Sequence, residues 1–233
     1  MIPPSNEEIS FVFARHHFAY RHILSSVKNC VVADIGCGAG YGCKLLSEQA
    51  RLICGIDYDF NAVRYSKNNF NGPNICYVQM NAVALGLQRV FDVAVSFQVI
   101  EHMVDVHDFV AQLKKIVKPG GTIFISTPNV LGAKPSRGNA GNRFHRNEMD
   151  YYEFRDLMMK KFSSCNIFGV SYELDNRFRD LIQKLPFYHW GTFLKRTSKI
   201  KKLINHTLDL TKFRITDTDL AKSMDLLAIC QND

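Results

Sequence analysis

The chain has 233 residues, 46% hydrophobic, 12% aromatic and 22% charged, which predicts one domain with at most an appendage and excludes a disordered, collagen-like or disulfide-scaffold protein. Seven cysteines without a C-x-x-C pair, no charged stretch leading into an apolar one after Met1, and no run near the roughly 18 apolar residues of a span predict a cytoplasmic, reduced chain. The net charge of +7 is uneven: between Arg177 and Arg214 ten basic residues face two acidic ones, so that segment carries +8 and the rest sums to −1. A neutral body with one basic segment argues against a nucleic-acid surface spread over the whole protein.

Short apolar runs alternate with helical patterns. Residues 31–35, 52–56, 75–78, 91–97 and 122–126 are rich in Val, Ile, Phe and Cys, as strands covered on both faces are. Residues 44–49, 60–68 and 105–117 read as helices, the last with Phe109, Val110, Leu113, Ile116 and Val117 at helical spacing before Lys118-Pro-Gly-Gly121 stops it. This alternation predicts an α/β fold, a doubly wound, mostly parallel sheet. A Gly-rich loop then runs to Asn142, a helix is expected over 148–161, and two more strands over 164–170 and 224–230 bring the sheet to seven. The core is therefore placed at 1–170 and 223–233, with 171–222 as a largely helical insertion, too long for a hairpin loop.

The first strand runs into Asp34-Ile-Gly36-Cys-Gly38-Ala-Gly40. Glycines there permit a tight turn and close backbone approach to a ligand. Counted from Gly36, the sixth position is Tyr41, so the dinucleotide pattern G-x-G-x-x-G fails, and no G-x-x-x-x-G-K-[ST] is present. Asp57 ends the second strand, ahead of Tyr58, where a carboxylate can accept two ribose hydroxyls.

An acidic residue followed by G-x-G-x-G resembles motif I of the class I S-adenosylmethionine-dependent methyltransferases. Three further stretches resemble the family: Gln79-Met-Asn81-Ala82; the fourth strand and loop, through Phe97-Gln98 to Glu101-His102; and Leu113 through Thr127-Pro-Asn129. The resemblance implies S-adenosyl-L-methionine as cofactor. It places Asp34, Gly36, Gly38, Gly40, Asp57, Tyr58, Asn81, Ala82, Phe97 and Gln98 around it, with Asn81 where the family usually has Asp. Within the superfamily the chain is similar to enzymes of glycan and lipopolysaccharide assembly and, more loosely, to ubiquinone-type O-methyltransferases. Arg15-His-His-Phe-Ala19, Tyr41-Gly42 and Asn142-Arg-Phe-His145-Arg-Asn-Glu148 carry that similarity, with His16 and Arg143 as departures.

Methyl transfer is an in-line displacement for which the protein positions the acceptor and removes the proton of a hydroxyl. His102 and His145 are the candidate bases, because imidazole titrates near neutrality. Glu101 is expected to hold its loop, and Arg15 to pair with the cofactor's methionine carboxylate. No closed metal ligand set is evident, so no metal is expected. Small-RNA 2′-O-methyltransferases place two carboxylates and two histidines on a metal, and Glu101, His102, His145 and Glu148 imitate that set. Their H-x-x-H segment is missing, however, since His145 is the only histidine in 130–150. A degenerate binding subunit is a further alternative, opposed by the near-complete cofactor motifs. The expected acceptor is thus a sugar or other small hydroxylated molecule, anionic or lipid-linked, rather than nucleic acid.

In the insertion, Phe187, Tyr188, Trp190 and Phe193 adjoin the basic run. Wound as a helix, Phe193, Ile200, Ile204 and Leu208 share a face, with Lys195, Lys199 and Lys202 roughly opposite. Such a segment, 186–210, suits a lid over the sheet or a peripheral contact with a membrane.

Overall fold

The computed structural model describes residues 11–133, 145–173 and 210–233. Its elements are α1 (Phe11–His22), β1 (Val31–Ile35), α2 (Tyr41–Leu46), β2 (Leu52–Asp57), α3 (Phe60–Asn69), β3 (Ile75–Gln79), β4 (Phe91–Phe97), α4 (Val106–Ile116), β5 (Val117–Pro128), α5 (Val130–Ala133), α6 (Tyr151–Lys161), β6 (Ser164–Tyr172), β7 (Phe213–Thr216) and β8 (Asp225–Gln231). The strands form one eight-stranded sheet in the order β3-β2-β1-β4-β5-β8-β6-β7. Neighbours among β1 to β5 pair parallel, while β8 runs antiparallel to both β5 and β6, and β7 antiparallel to β6.

The near-continuous apolar strands divide cleanly by parity. Ala33, Ile35, Ala94, Ile123, Ile125 and Ala228 point to one face, where α4 brings Phe109, Leu113 and Ile116 and α6 brings Phe154 and Met158. Val32, Ile53, Val93, Val95, Phe124 and Leu227 point to the other, against Tyr20 and Ile23 of α1, Leu46 of α2 and Val63 of α3. Side chains alternate along a strand with period two, so one apolar run serves two cores.

Polar residues set the helix starts. Asp59 accepts from the Asn61 amide at α3, Asp105 from the His107 and Asp108 amides at α4, and Asp150 with Glu153 closes a capping box at α6. The capping box explains why α6 begins at Tyr151 rather than at 148: Asp150 adopts an extended conformation and caps the helix from outside it.

Two features differ from expectation. β5 begins at Val117, because Lys118 to Gly121 continue the chain into the sheet past an irregularity opposite Phe91 and Val93. The eighth strand comes from inside the segment expected to be helical: Phe213 pairs with Tyr172, and Ile215 with Val170. Phe213 is buried against Phe18, Val170 and Tyr172, which gives this short strand its own small core. The Gly-rich loop over 134–144 and the basic, aromatic run of 186–209 lie outside the described residues. Among the described residues no helix is long and apolar enough to cross a membrane.

Asn129 ties the ends of the site-bearing strands together. Its buried amide donates to the carbonyls of Leu220, Ala221 and Ser223 at 3.2, 3.0 and 2.9 Å. Asn129→Ala should lower unfolding stability by roughly 2–3 kcal/mol, since it strands buried carbonyls without a donor. Urea denaturation checks this; an unchanged midpoint would show that the 220–223 turn is held by other contacts.

Candidate active site

The chain steps from β1 outward to β2 and β3, then returns to lay β4 on the other side of β1. The connections after β1 and β4 therefore leave the sheet in opposite directions, opening a crevice at the carboxyl ends of the parallel strands. The glycine loop fills one side of it. Gly36, Gly38 and Gly40 all have positive φ, at 76°, 54° and 85°. A Cβ on Gly36 would fall 2.4 Å from Val99 Cγ2 in the loop after β4, so glycine is what lets the two loops meet.

Three elements hold the loop from behind. The Gly38 amide donates to Asp57 Oδ2 at 2.8 Å, Ser66 of α3 donates to the Gly38 carbonyl at 3.0 Å, and Tyr77 of β3 donates to the Gly40 carbonyl at 3.3 Å. Asp57 Oδ1 accepts from the Asp59 amide at 2.9 Å. Each oxygen of Asp57 takes one backbone hydrogen and keeps acceptor capacity for a second, which suits a vicinal diol.

Asp34 corrects an expectation. It is wholly buried, so it cannot touch a ligand in the crevice. Its carboxyl accepts from Tyr20 Oη at 3.1 and 3.2 Å and from Cys43 Sγ at 3.2 Å, which ties the end of β1 to α1 and α2. Burial pushes its pKa up to about 7. Arg15 and Gln98 are likewise drawn inward. Arg15 Nε lies 2.9 Å from Asp225 Oδ2, at ion-pair distance but without hydrogen-bond alignment, so its charge is already neutralised within the protein. Gln98, in the left-handed region at φ 59°, donates through Nε2 to Ser126 Oγ at 3.2 Å. Burial pushes Asp225 up to about 6 against the opposing pull of Arg15 and Gln98.

The remaining expected cofactor residues lie along the same edge. Tyr58 is 75% exposed next to Asp57. Asn81 Oδ1 accepts from the Val83 amide at 3.1 Å, forming an Asx turn that presents Asn81 and half-buried Ala82 after β3. Phe97 is buried under the crevice, its ring edge-on to Tyr20 at 4.9 Å between centroids. In α1, His16 Nδ1 lies 3.3 Å from Tyr41 Oη, and burial lowers its pKa to about 3, so it stays neutral.

On the β4 side, the Arg146 and Asn147 amides donate to the Glu101 carbonyl at 2.8 and 3.0 Å. Asn147 Nδ2 also donates to the Met103 carbonyl. These bonds dock the segment before α6 on the short 3₁₀ turn Ile100–His102. They bring together histidines 43 positions apart: the His102 and His145 rings stand edge-on with centroids 4.9 Å apart. His145 Nδ1 lies 3.0 Å from Glu148 Oε1. Glu101 is almost fully buried beside them, and burial pushes its carboxyl up to about 8. One donor atom each from Glu101, His102 and His145 lies within 4.8 Å of the others, which brings together three of the four residues that imitate the small-RNA methyltransferase metal set, although no metal was expected from the sequence. The Tyr20 and Cys43 contacts to Asp34, and Asp225 behind Arg15, were also invisible in sequence, because no local pattern marks a partner on a distant element.

Residues 33–125 match the methyltransferase domain family. A probable S-adenosylmethionine-dependent methyltransferase of Mycolicibacterium smegmatis is 33% identical over 155 residues, 66% of this chain and 60% of that protein. A ubiquinone biosynthesis O-methyltransferase of Rickettsia conorii is 32% identical over 114 residues, 47% of this chain and 39% of that protein. Among solved structures, an S-adenosylmethionine-dependent methyltransferase of Thermotoga maritima, described as a possible histamine N-methyltransferase, aligns with a TM-score of 0.63 at 16% identity over 95% of this chain and 93% of that one. Residues 33–125 thus match a methyltransferase domain, the domain of an enzyme, and the α/β sheet has the fold of the solved methyltransferase structure. The chain spans 60% or less of the length of these two sequence relatives. S-adenosyl-L-methionine is the cofactor of this domain, and the positive-φ glycine loop with the diol-ready Asp57 carboxylate fits it.

Asp57→Ala should weaken S-adenosylmethionine binding by roughly 1.5–3 kcal/mol, the scale of hydrogen bonds to a charged group; unchanged affinity in calorimetry would remove Asp57 from the ribose role. Asp34 sets a pH dependence. Its folded-state pKa of about 7 lies above an unfolded value of about 3.9, so the native state binds the extra proton. Its stabilising contribution is therefore complete below about pH 4 and is lost as pH rises through about 7. Stability measured from pH 4 to 8 should fall less steeply in Asp34→Asn than in the parent protein, and identical slopes would contradict the assignment.

Proposed function

We propose that this protein transfers the methyl group of S-adenosylmethionine to a hydroxyl of a sugar or another small hydroxylated acceptor, with His102 and His145 activating the acceptor oxygen. The observation that carries the reading is the docking of His145, with Glu148 on its Nδ1, against His102 at the rim of the cofactor crevice. A neutral hydroxyl must lose its proton as it attacks, and a carboxylate-oriented imidazole is suited to receive it.

The bound cofactor supplies an activated methyl group. The acceptor oxygen would take that methyl group in place of the cofactor's sulfur, and the imidazole group would receive the hydroxyl proton and pass it to water. Glu148 holds the His145 ring in one orientation, so less of the barrier goes to ordering it. Asp57 and the Gly36–Gly40 loop hold the other partner of the reaction on the opposite side of the crevice. The +8 carried by 177–214 supports an anionic acceptor, such as a nucleotide-linked or phospholipid-linked sugar. The same segment supports a peripheral contact with an anionic membrane as a route to a lipid-linked substrate.

Labelled S-adenosylmethionine incubated with nucleotide-sugars, lipid-linked glycans, quinone precursors and RNA tests the acceptor class. Transfer to amines alone would overturn the hydroxyl reading, and transfer to RNA alone would move it to a polymer. With the acceptor found, His145→Ala should cut turnover by roughly 10²–10⁴ with cofactor affinity unchanged, the usual span of acid–base catalysis. A full-rate variant would take His145 out of the chemistry.

A further inference from the structure

We infer that Glu101, His102 and His145 form a binding site for a divalent transition-metal cation at the acceptor side of the crevice. Two imidazoles and one carboxylate, each offering a donor atom within 4.8 Å of the other two, are the mixed nitrogen–oxygen set that zinc, cobalt or manganese accepts. Donors bound at about 2.0–2.2 Å from a cation stand about 3–4 Å apart, so the three side chains need to close by only about an ångström. Glu101 adds an independent pointer. It is 1% exposed, and its Oε2 is buried with no hydrogen-bond partner among the described residues. An orphaned carboxylate oxygen beside two imidazoles is costly as it stands and is satisfied by a cation.

The surroundings have the form of a metal site's outer shell. An imidazole that ligates through one nitrogen commonly donates the other N–H to a carboxylate, and Glu148 holds that place at His145 Nδ1. The 3₁₀ turn fixes His102 next to Glu101, and the Arg146 and Asn147 amides lock the His145 segment onto the Glu101 carbonyl. The frame that carries the three donors is thus braced by backbone hydrogen bonds from both sides. Three protein ligands leave coordination positions open, which is the form of a catalytic site rather than a structural one. A hydroxyl taken into an open position would be acidified by the cation and release its proton to water, so that with the cation bound the two histidines would hold it as ligands and would not themselves accept that proton. The inference shares its residues with the proposed acceptor-activating group and rests on that reading for what the cation does, but not for whether it binds.

The test uses the full-length protein freed of metal, without cofactor or acceptor, so that its outcome is separate from that of methyl transfer. Titration with cobalt(II), followed by its visible absorption, and with zinc by calorimetry should give saturable binding of one ion. His102→Ala and Glu101→Gln should each weaken that binding at least tenfold. Glu148→Gln should weaken it less, with the ligand-field bands shifted, as for the loss of an orienting partner. Circular dichroism of each variant guards against misfolding, and the isosteric Glu101→Gln decides if an alanine variant fails to fold. Absence of saturable binding, or binding untouched by both Glu101→Gln and His102→Ala, overturns the inference. Loss of metal binding alongside intact hydroxyl methylation would overturn the catalytic use of the cation while leaving the proposed function standing.

Discussion

The near-contact of two loops at the sheet's reversal point governs the rest of this structure. β1 and β4 are hydrogen-bonded neighbours, yet the chain leaves them in opposite directions, so their following loops face each other across a gap. Gly36 lets those loops meet, since a Cβ there would collide with Val99. Everything with a chemical role hangs from this meeting. On one side are Gly38, Asp57 and the turn after β3; on the other are Glu101, His102 and the segment they recruit from before α6.

Three buried carboxyls surround that junction, and burial shifts all three in the same direction. Asp34, Glu101 and Asp225 sit at 0%, 1% and 3% exposure, with pKa values pushed up to about 7, 8 and 6. Their environments separate their roles. Asp34 is met by a hydroxyl and a thiol, partners that hold a carboxyl whether or not it is ionised, and it acts as a brace between α1, α2 and β1. Asp225 faces the Arg15 guanidinium, which joins α1 to the start of β8. Among the described residues Glu101 has neither kind of partner on Oε2, and it stands beside two imidazoles. A residue used only as a brace resembles the first two; Glu101 does not.

The sheet's outer half shows how short elements are stabilised away from the crevice. β7 is four residues long and too small to bury much on its own, but Phe213 stacks on Phe18 at 5.4 Å and meets Tyr172 edge-on at 4.8 Å. This ties the far edge of the sheet back to α1, the helix that also carries Arg15, His16 and Tyr20. α1 thereby contacts both the edge strands and the glycine loop, so its position couples the fold's periphery to the site.

Much of the molecule was legible from local pattern. The five parallel strands, their alternation with helices, the glycine loop and the strand-final Asp57 follow from runs, spacing and turn chemistry, which are properties of neighbouring residues. β7 was not legible, because residues 213–216 become a strand only by pairing with β6 and burying Phe213 on α1. Asp34, Arg15 and Gln98 were expected to face the cofactor, whereas their partners Tyr20, Cys43, Asp225 and Ser126 come from other elements. The same holds for His102 and His145. Each was a plausible base alone, and nothing in the 42 intervening positions encodes that their rings meet beside a buried glutamate. Secondary structure and the cofactor loop are settled by short-range sterics and hydrophobic periodicity. The charge partners and the histidine–carboxylate cluster are settled by which loops the sheet order brings to one edge.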